Sequence, residues 1–136
     1  MTTTTLARGP FQVKLNPQAS DEQPGGSSLA RLTIDKRFEG DLEATSKGEM
    51  LSAGSPVTGS AGYVAIERVT GTLHGRSGTF VLQHNATMTR GTPQLNIIVV
   101  PDSGTGELVG LTGTMQIVIA PGGAHSYEFE YSLAGS

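Results

Sequence analysis

Thr79-Phe80-Val81-Leu82-Gln83-His84-Asn85-Ala86-Thr87-Met88 is the stretch from which the rest of the chain can be read. Phe80, Leu82, His84, Ala86 and Met88 fall on one parity, and Thr79, Val81, Gln83, Asn85 and Thr87 on the other. A period of two marks an extended strand whose successive side chains point to opposite faces. Gly91-Thr92-Pro93 then turns the chain into Leu95 to Val100, its most apolar segment. So short a link joins antiparallel neighbours, because a parallel crossover needs roughly a dozen residues or more.

The same pattern extends in both directions. Toward the N-terminus, Tyr63 to Thr70 is strand-like, with Gly71 to Gly78 as a glycine-rich connection. Leu42 to about Leu51 forms another strand, closed by the turn residues of Ser52 to Gly62. Leu32, Ile34, Lys36 and Phe38 share one parity, opposite Thr33, Asp35, Arg37 and Glu39, so one face of this strand is wet. Phe11, Val13 and Leu15 alternate in a first strand, and residues 16–28 form a polar loop carrying Pro17, Pro24 and Gly25-Gly26. Toward the C-terminus, Pro101 to Gly106 is a tight loop, and Leu111, Met115, Ile117 and Ile119 mark a strand stopped by Pro121-Gly122-Gly123. Tyr127, Phe129, Tyr131 and Leu133 alternate in the last one. No segment keeps apolar residues at helical spacing for long.

About eight short strands with regular turn signals read as an all-β fold. Eight antiparallel strands can close into a barrel whose interior is filled by side chains or holds one small ligand. A two-sheet sandwich is the alternative, which periodicity cannot separate from a barrel. With 136 residues, the chain is read as a single domain over 1–136.

Composition narrows the function. A net charge of −3 offers no electrostatic footprint for nucleic acid and no basic surface for anionic lipid, so neither is an expected partner. The chain has no cysteine, which removes disulfides, thiolate metal sites and a cysteine nucleophile. Met1 to Pro10 lacks the apolar region of a secretory signal, and a cysteine-free chain suits a reducing compartment, so a cytoplasmic location is expected. With 5% aromatics and no tryptophan, a platform of stacked rings for sugars or single strands is not expected.

From Leu32 onward the sequence resembles a bacterial family, domain of unknown function 3224. The resemblance rests on Ile34-Asp35-Lys36-Arg37-Phe38-Glu39-Gly40 and Gly62-Tyr63-Val64-Ala65-Ile66-Glu67-Arg68. It also rests on Gly75-Arg76-Ser77-Gly78-Thr79-Phe80-Val81-Leu82-Gln83-His84, on the glycine-rich run from Val100 to Leu111, and on the Tyr127 to Tyr131 strand. It implies a barrel similar to that of plant allene oxide cyclase. It does not imply cyclase activity, since the cyclase's own catalytic positions have no match here and a fold does not confer a function.

Three residues carry candidate chemistry. Lys36 shares its parity with Ile34 and Phe38, so a regular strand turns it toward the apolar side. Burying an ammonium is costly, and the expected placement is the barrel rim, stem buried and head in water, unless it pairs. Glu67 is its natural partner if it points inward, as a structural ion pair or as an acid–base pair. His84 lies on the Phe80 and Leu82 face, where a core histidine bonded to a neighbour is the expected reading and a general base the sharper one. Tyr63 and Tyr127 could line a small cavity with them. His74 and His125 fall in or beside turns, so three dispersed histidines compose no zinc signature, and no metal or cofactor is expected. Gly71 to Gly78 precedes a strand rather than a helix and is no phosphate-binding loop, and no Gly-x-Ser-x-Gly elbow is present.

Three functions fit these residues. The first is a barrel binding a small apolar or amphipathic ligand through Lys36, Tyr63, Glu67, His84 and Tyr127. The second is an isomerase or cyclase using Glu67 or His84 as base. The third is a self-associating structural domain with a filled axis. Leu95 to Val100 reads as covered on both faces, and a barrel covers one, so a homo-oligomer is expected, most simply a dimer.

Overall fold

The computed structural model describes residues 3–133. Eight strands run in chain order: β1 (Thr5–Glu22), β2 (Ser28–Phe38), β3 (Leu42–Gly54), β4 (Ala61–Leu73), β5 (Arg76–Thr89), β6 (Thr92–Val99), β7 (Leu111–Ile119) and β8 (His125–Leu133). Each pairs antiparallel with the next, and β1 pairs with β8 from Thr5↔Tyr131 to Phe11↔His125. The sheet is therefore a closed barrel, not a sandwich. Among the described residues the single helical turn is a 3-10 segment, Gly106–Leu108, in the connection between β6 and β7, and no helix is long and apolar enough to cross a membrane.

The alternation seen in the sequence becomes inside and outside. Phe80, Leu82 and His84 of β5 are buried with Val69, Glu67 and Ala65 of β4, and with Phe38, Lys36 and Ile34 of β2. Opposite parities face solvent: Ile66 and Val64 are about half exposed on the outer wall. Two expectations need correction. Residues 16–28 are not loop throughout: β1 continues to Glu22 and pairs with β2 through Glu22↔Ser28, which leaves 23–27 as the turn. The ladder shifts between Pro17 and Ala19, so the proline, which has no N–H to donate, sits at an irregularity where none is needed. The polar sequence here belongs to a ribbon extending beyond the barrel body, wet on both faces. Gly71 to Gly78 is also mostly strand, with a two-residue turn at His74-Gly75, where both residues have positive φ (45° and 81°).

The two ends of the barrel differ. One end is packed with Leu42, Leu73, Leu108, Leu111, Phe80 and Phe129, each at most 1% exposed. The Phe80 and Phe129 rings stack there at 5.8 Å. At the other end, core parity continues in Val13, Leu15, Leu95 and Ile119, yet these are 37%, 44%, 39% and 62% exposed. That end, the mouth, therefore carries apolar residues of core parity that the barrel leaves partly exposed. Leu95 to Val100 is not covered on both faces by the chain itself: Ile97 and Val99 are buried, whereas Ile98 is exposed on the outside.

Candidate functional site

Register brings the polar residues together. Lys36 pairs across the β2–β3 ladder with Ser46, Gly48 pairs with Glu67 between β3 and β4, and Glu67 and Ala65 pair with Leu82 and His84 between β4 and β5. All four polar side chains have core parity, so they converge on the axis midway along the barrel. Gly48 is what admits Glu67: a Cβ at position 48 would lie 2.1 Å from the Ile66 carbonyl oxygen and 2.8 Å from the Glu67 Cβ. Only a residue lacking that atom lets the two backbones approach so closely.

The expected rim placement of Lys36 is overturned, for its ammonium is inside. Its Nζ donates to Glu67 Oε1 at 3.2 Å and lies 3.1 Å from Oε2, with side-chain exposures of 7% for Lys36 and 0% for Glu67. The same Nζ sits 5.4 Å from the centre of the Phe11 ring and 5.8 Å from that of Phe38. Ion pair and ring faces together compensate the lost hydration. His84 Nε2 is 3.5 Å from Glu67 Oε1, a contact without hydrogen-bond alignment. The bonded core histidine expected from the sequence is thus not what forms: neither ring nitrogen has a hydrogen-bond partner among the described residues. Ser46 Oγ and Glu67 Oε2 are likewise buried without one.

Burial alone would raise the Glu67 pKa, but His84 and Lys36 outweigh it and hold the carboxyl below its ordinary value. Glu67 is therefore a carboxylate at neutral pH. The half-buried Tyr63 phenol is pushed up, first by burial and then by the Glu67 charge, so it keeps its proton. Its ring lies 6.4 Å from that of His84, on the mouth side.

Of the residues the sequence singled out, Lys36, Glu67, His84 and Tyr63 come together and Tyr127 does not. The Tyr127 hydroxyl donates to the Glu39 carbonyl at 2.6 Å and accepts from the Leu42 N–H at 2.8 Å. It fastens the β2–β3 turn at the packed end, with the Phe38 ring between it and Lys36. A phenol already bonded to backbone on both sides has no place among ligand contacts. Ser46 was missed, although its parity with Leu42 and Ala44 is the signal that turns it inward. A groove of about 520 Å³ is lined by Leu29, Leu51, Val64 and Asn96 and also by Tyr63 and Ala86, so it borders the site at its mouth side.

Among curated proteins, none matches this chain. The crystal structure of a protein of unknown function from Shewanella oneidensis MR-1 superposes with a TM-score of 0.92 at 52% identity, covering 98% of this chain and 100% of that one. That protein is itself described as coming from the DUF3224 family. The profile of the family described as "Protein of unknown function (DUF3224)" matches residues 7–131, nearly the whole barrel, and the chain belongs to that family.

Proposed function

We propose that the protein is a small-molecule-binding β-barrel. It takes an amphipathic ligand at its mouth, apolar body against the rim and polar head on the buried cluster. One observation carries the reading. Ser46 Oγ, Glu67 Oε2 and both His84 ring nitrogens are buried without hydrogen-bond partners among the described residues, below a mouth of exposed apolar residues with core parity. Leaving a buried polar atom unpaired costs about 1–3 kcal/mol; Glu67 Oε2 keeps its ion pair with Lys36 at 3.1 Å, which leaves the Ser46 hydroxyl and the His84 imidazole as the groups open to a partner. Tyr63, which keeps its proton, adds a donor at the entrance.

A binding role fits better than an isomerase or cyclase. A base must hold a proton in the working range, and His84 and Lys36 draw the Glu67 pKa away from neutrality. Two further parts of the reading concern the setting. The exposed outer residues Ile98, Ile66, Val64 and Leu51 support a second copy of the chain as partner, and the cysteine-free sequence supports a cytoplasmic location.

Native mass spectrometry of the purified protein tests ligand and copy number together. The expected spectrum is a dimer carrying a small-molecule adduct, with the adduct weakened in Glu67→Gln. A bare chain that also takes up no added amphiphile overturns the binding reading, and a clean monomer at high micromolar concentration overturns the dimer.

A further inference from the structure

The barrel is closed unevenly. β5 and β6 pair continuously from Leu82↔Val99 to Thr89↔Thr92, and β7 and β8 from Leu111↔Leu133 to Ile119↔His125. Between β6 and β7 the ladder is one pair, Ile98↔Thr114. Toward the mouth, Thr92–Ile97 and Met115–Ile119 run on without a ladder between them among the described residues. The residues of core parity along this seam are Leu95 and Ile97 on one side and Ile117 and Ile119 on the other. Leu95 and Ile119 are exposed, Ile117 is half-buried and Ile97 is buried. An unzipped stretch of sheet bordered by apolar side chains is unusual, because free backbone N–H and C=O groups are normally paired or covered. The seam leads to the polar cluster: Ile97 is the ladder partner of His84, and Leu95 that of Ala86.

The cluster also has a charge character. Lys36 and Glu67 compensate one another at 3.1–3.2 Å, and the ammonium has ring faces on two further sides. Beyond that ion pair, the groups without a hydrogen-bond partner among the described residues are the His84 imidazole and the Ser46 hydroxyl. An anionic head group brought there would meet the Glu67 carboxylate, and a cationic one the Lys36 ammonium. Either would add an uncompensated charge to a buried layer, which is costly.

We propose that the ligand is an uncharged amphiphile, an apolar chain ending in a hydroxyl or carbonyl, that enters laterally through the β6–β7 seam and sets its head on His84, Ser46 and Glu67. This rests on the binding reading above and specifies its ligand class and route. The His84 imidazole and the Ser46 hydroxyl can both exchange hydrogen bonds with a hydroxyl head. The chain then lies along Leu95, Ile117 and Ile119, covering apolar surface that the fold leaves wet.

The test is calorimetric titration with decanol, decanoate and decylamine, which share a chain and differ in head charge. Decanol is expected to bind at least about tenfold more tightly than either ion. The route is tested with Leu95→Asp, which places a charge in the seam away from the head-group site. Val109→Asp, beside the 3-10 turn at the packed end, is the control. Both positions are exposed, and circular dichroism verifies that both variants fold. Leu95→Asp should weaken decanol by about tenfold or more, and Val109→Asp should leave it within about twofold. Preference for decanoate or decylamine overturns the uncharged head, and unchanged binding to Leu95→Asp overturns the seam; in both cases the binding reading stands. Failure of all three probes to bind the wild-type protein overturns this proposal, and the binding reading falls only if the purified protein also carries no adduct.

Discussion

The two ends of this barrel use the same eight strands to opposite purposes. At the packed end, polar groups are paired: Tyr127 bridges Glu39 and Leu42, and His74 Nδ1 meets the Tyr131 hydroxyl at 2.5 Å while its Nε2 faces Asp41 at 3.7 Å. Leucines and stacked phenylalanines fill the space between. At the mouth the residues of core parity are still apolar but wet, and the polar layer beneath them is only partly paired. A fold optimised for stability alone would close both ends the same way. The asymmetry teaches that one half of the sheet is closed by packing and the other leaves apolar and polar groups unsatisfied, which is the half the proposed ligand would meet, with Lys36 and Glu67 at the boundary.

The largest effect should come at that boundary. Gly48→Ala drives a Cβ into the Ile66 carbonyl and the Glu67 backbone, neither of which can retreat without breaking the ladder. Loss of folded, soluble protein is expected, whereas Gly54→Ala, on the same strand at the open lip with nothing within 4 Å of the added atom, should behave as wild type in thermal melts. Equal behaviour of the two would show that the close approach at Gly48 is not what the register of β3 and β4 depends on.

Next in size is Lys36→Ala. It strands the fully buried Glu67 carboxylate, at an expected cost of about 3–5 kcal/mol by denaturant titration. Replacing both partners with apolar residues, Lys36→Met with Glu67→Leu, should recover most of that loss and abolish ligand binding. Recovery of stability together with retained binding would break the assignment of the pair to the ligand-facing half. A pH dependence belongs to the same pair. The folded-state pKa of Glu67 lies below its ordinary value of 4.5, so its contribution is present above that value and is lost as pH falls below it. Glu67→Gln should therefore flatten the acid limb of the stability profile, while leaving its neutral-to-basic limb in shape.

Smaller again is Tyr127→Phe. Removing a hydroxyl that joins β8 to the β2–β3 turn should cost about 1–3 kcal/mol and leave ligand affinity unchanged. A drop in affinity at constant stability would mean that the packed end reaches the ligand after all.

How much of this was legible in advance varies by element. The strand from Phe80 to Met88 was legible because a half-buried sheet imposes a period of two, and His84 could be placed inside by parity alone. The same parity placed Lys36 inside, but the general cost of burying an ammonium argued for the rim. What outweighed that cost lies far away in sequence: Glu67 and two phenylalanine rings, brought close only by strand pairing. Asn16 to Ser28 was misread because polar residues and prolines look the same in a loop and in a two-faced wet ribbon, and only the partner strand distinguishes them.

By itself the sequence determined the strand alternation, most of the turns and the inward parity of residues such as Phe80, Leu82 and His84, since these follow from side-chain direction along an extended chain. Closure, the pairing of Lys36 with Glu67, the unpaired nitrogens of His84 and the unequal ends were decided only by the tertiary structure. Each depends on which strand lies beside which and at what register, and backbone hydrogen bonding fixes that over the whole circuit at once.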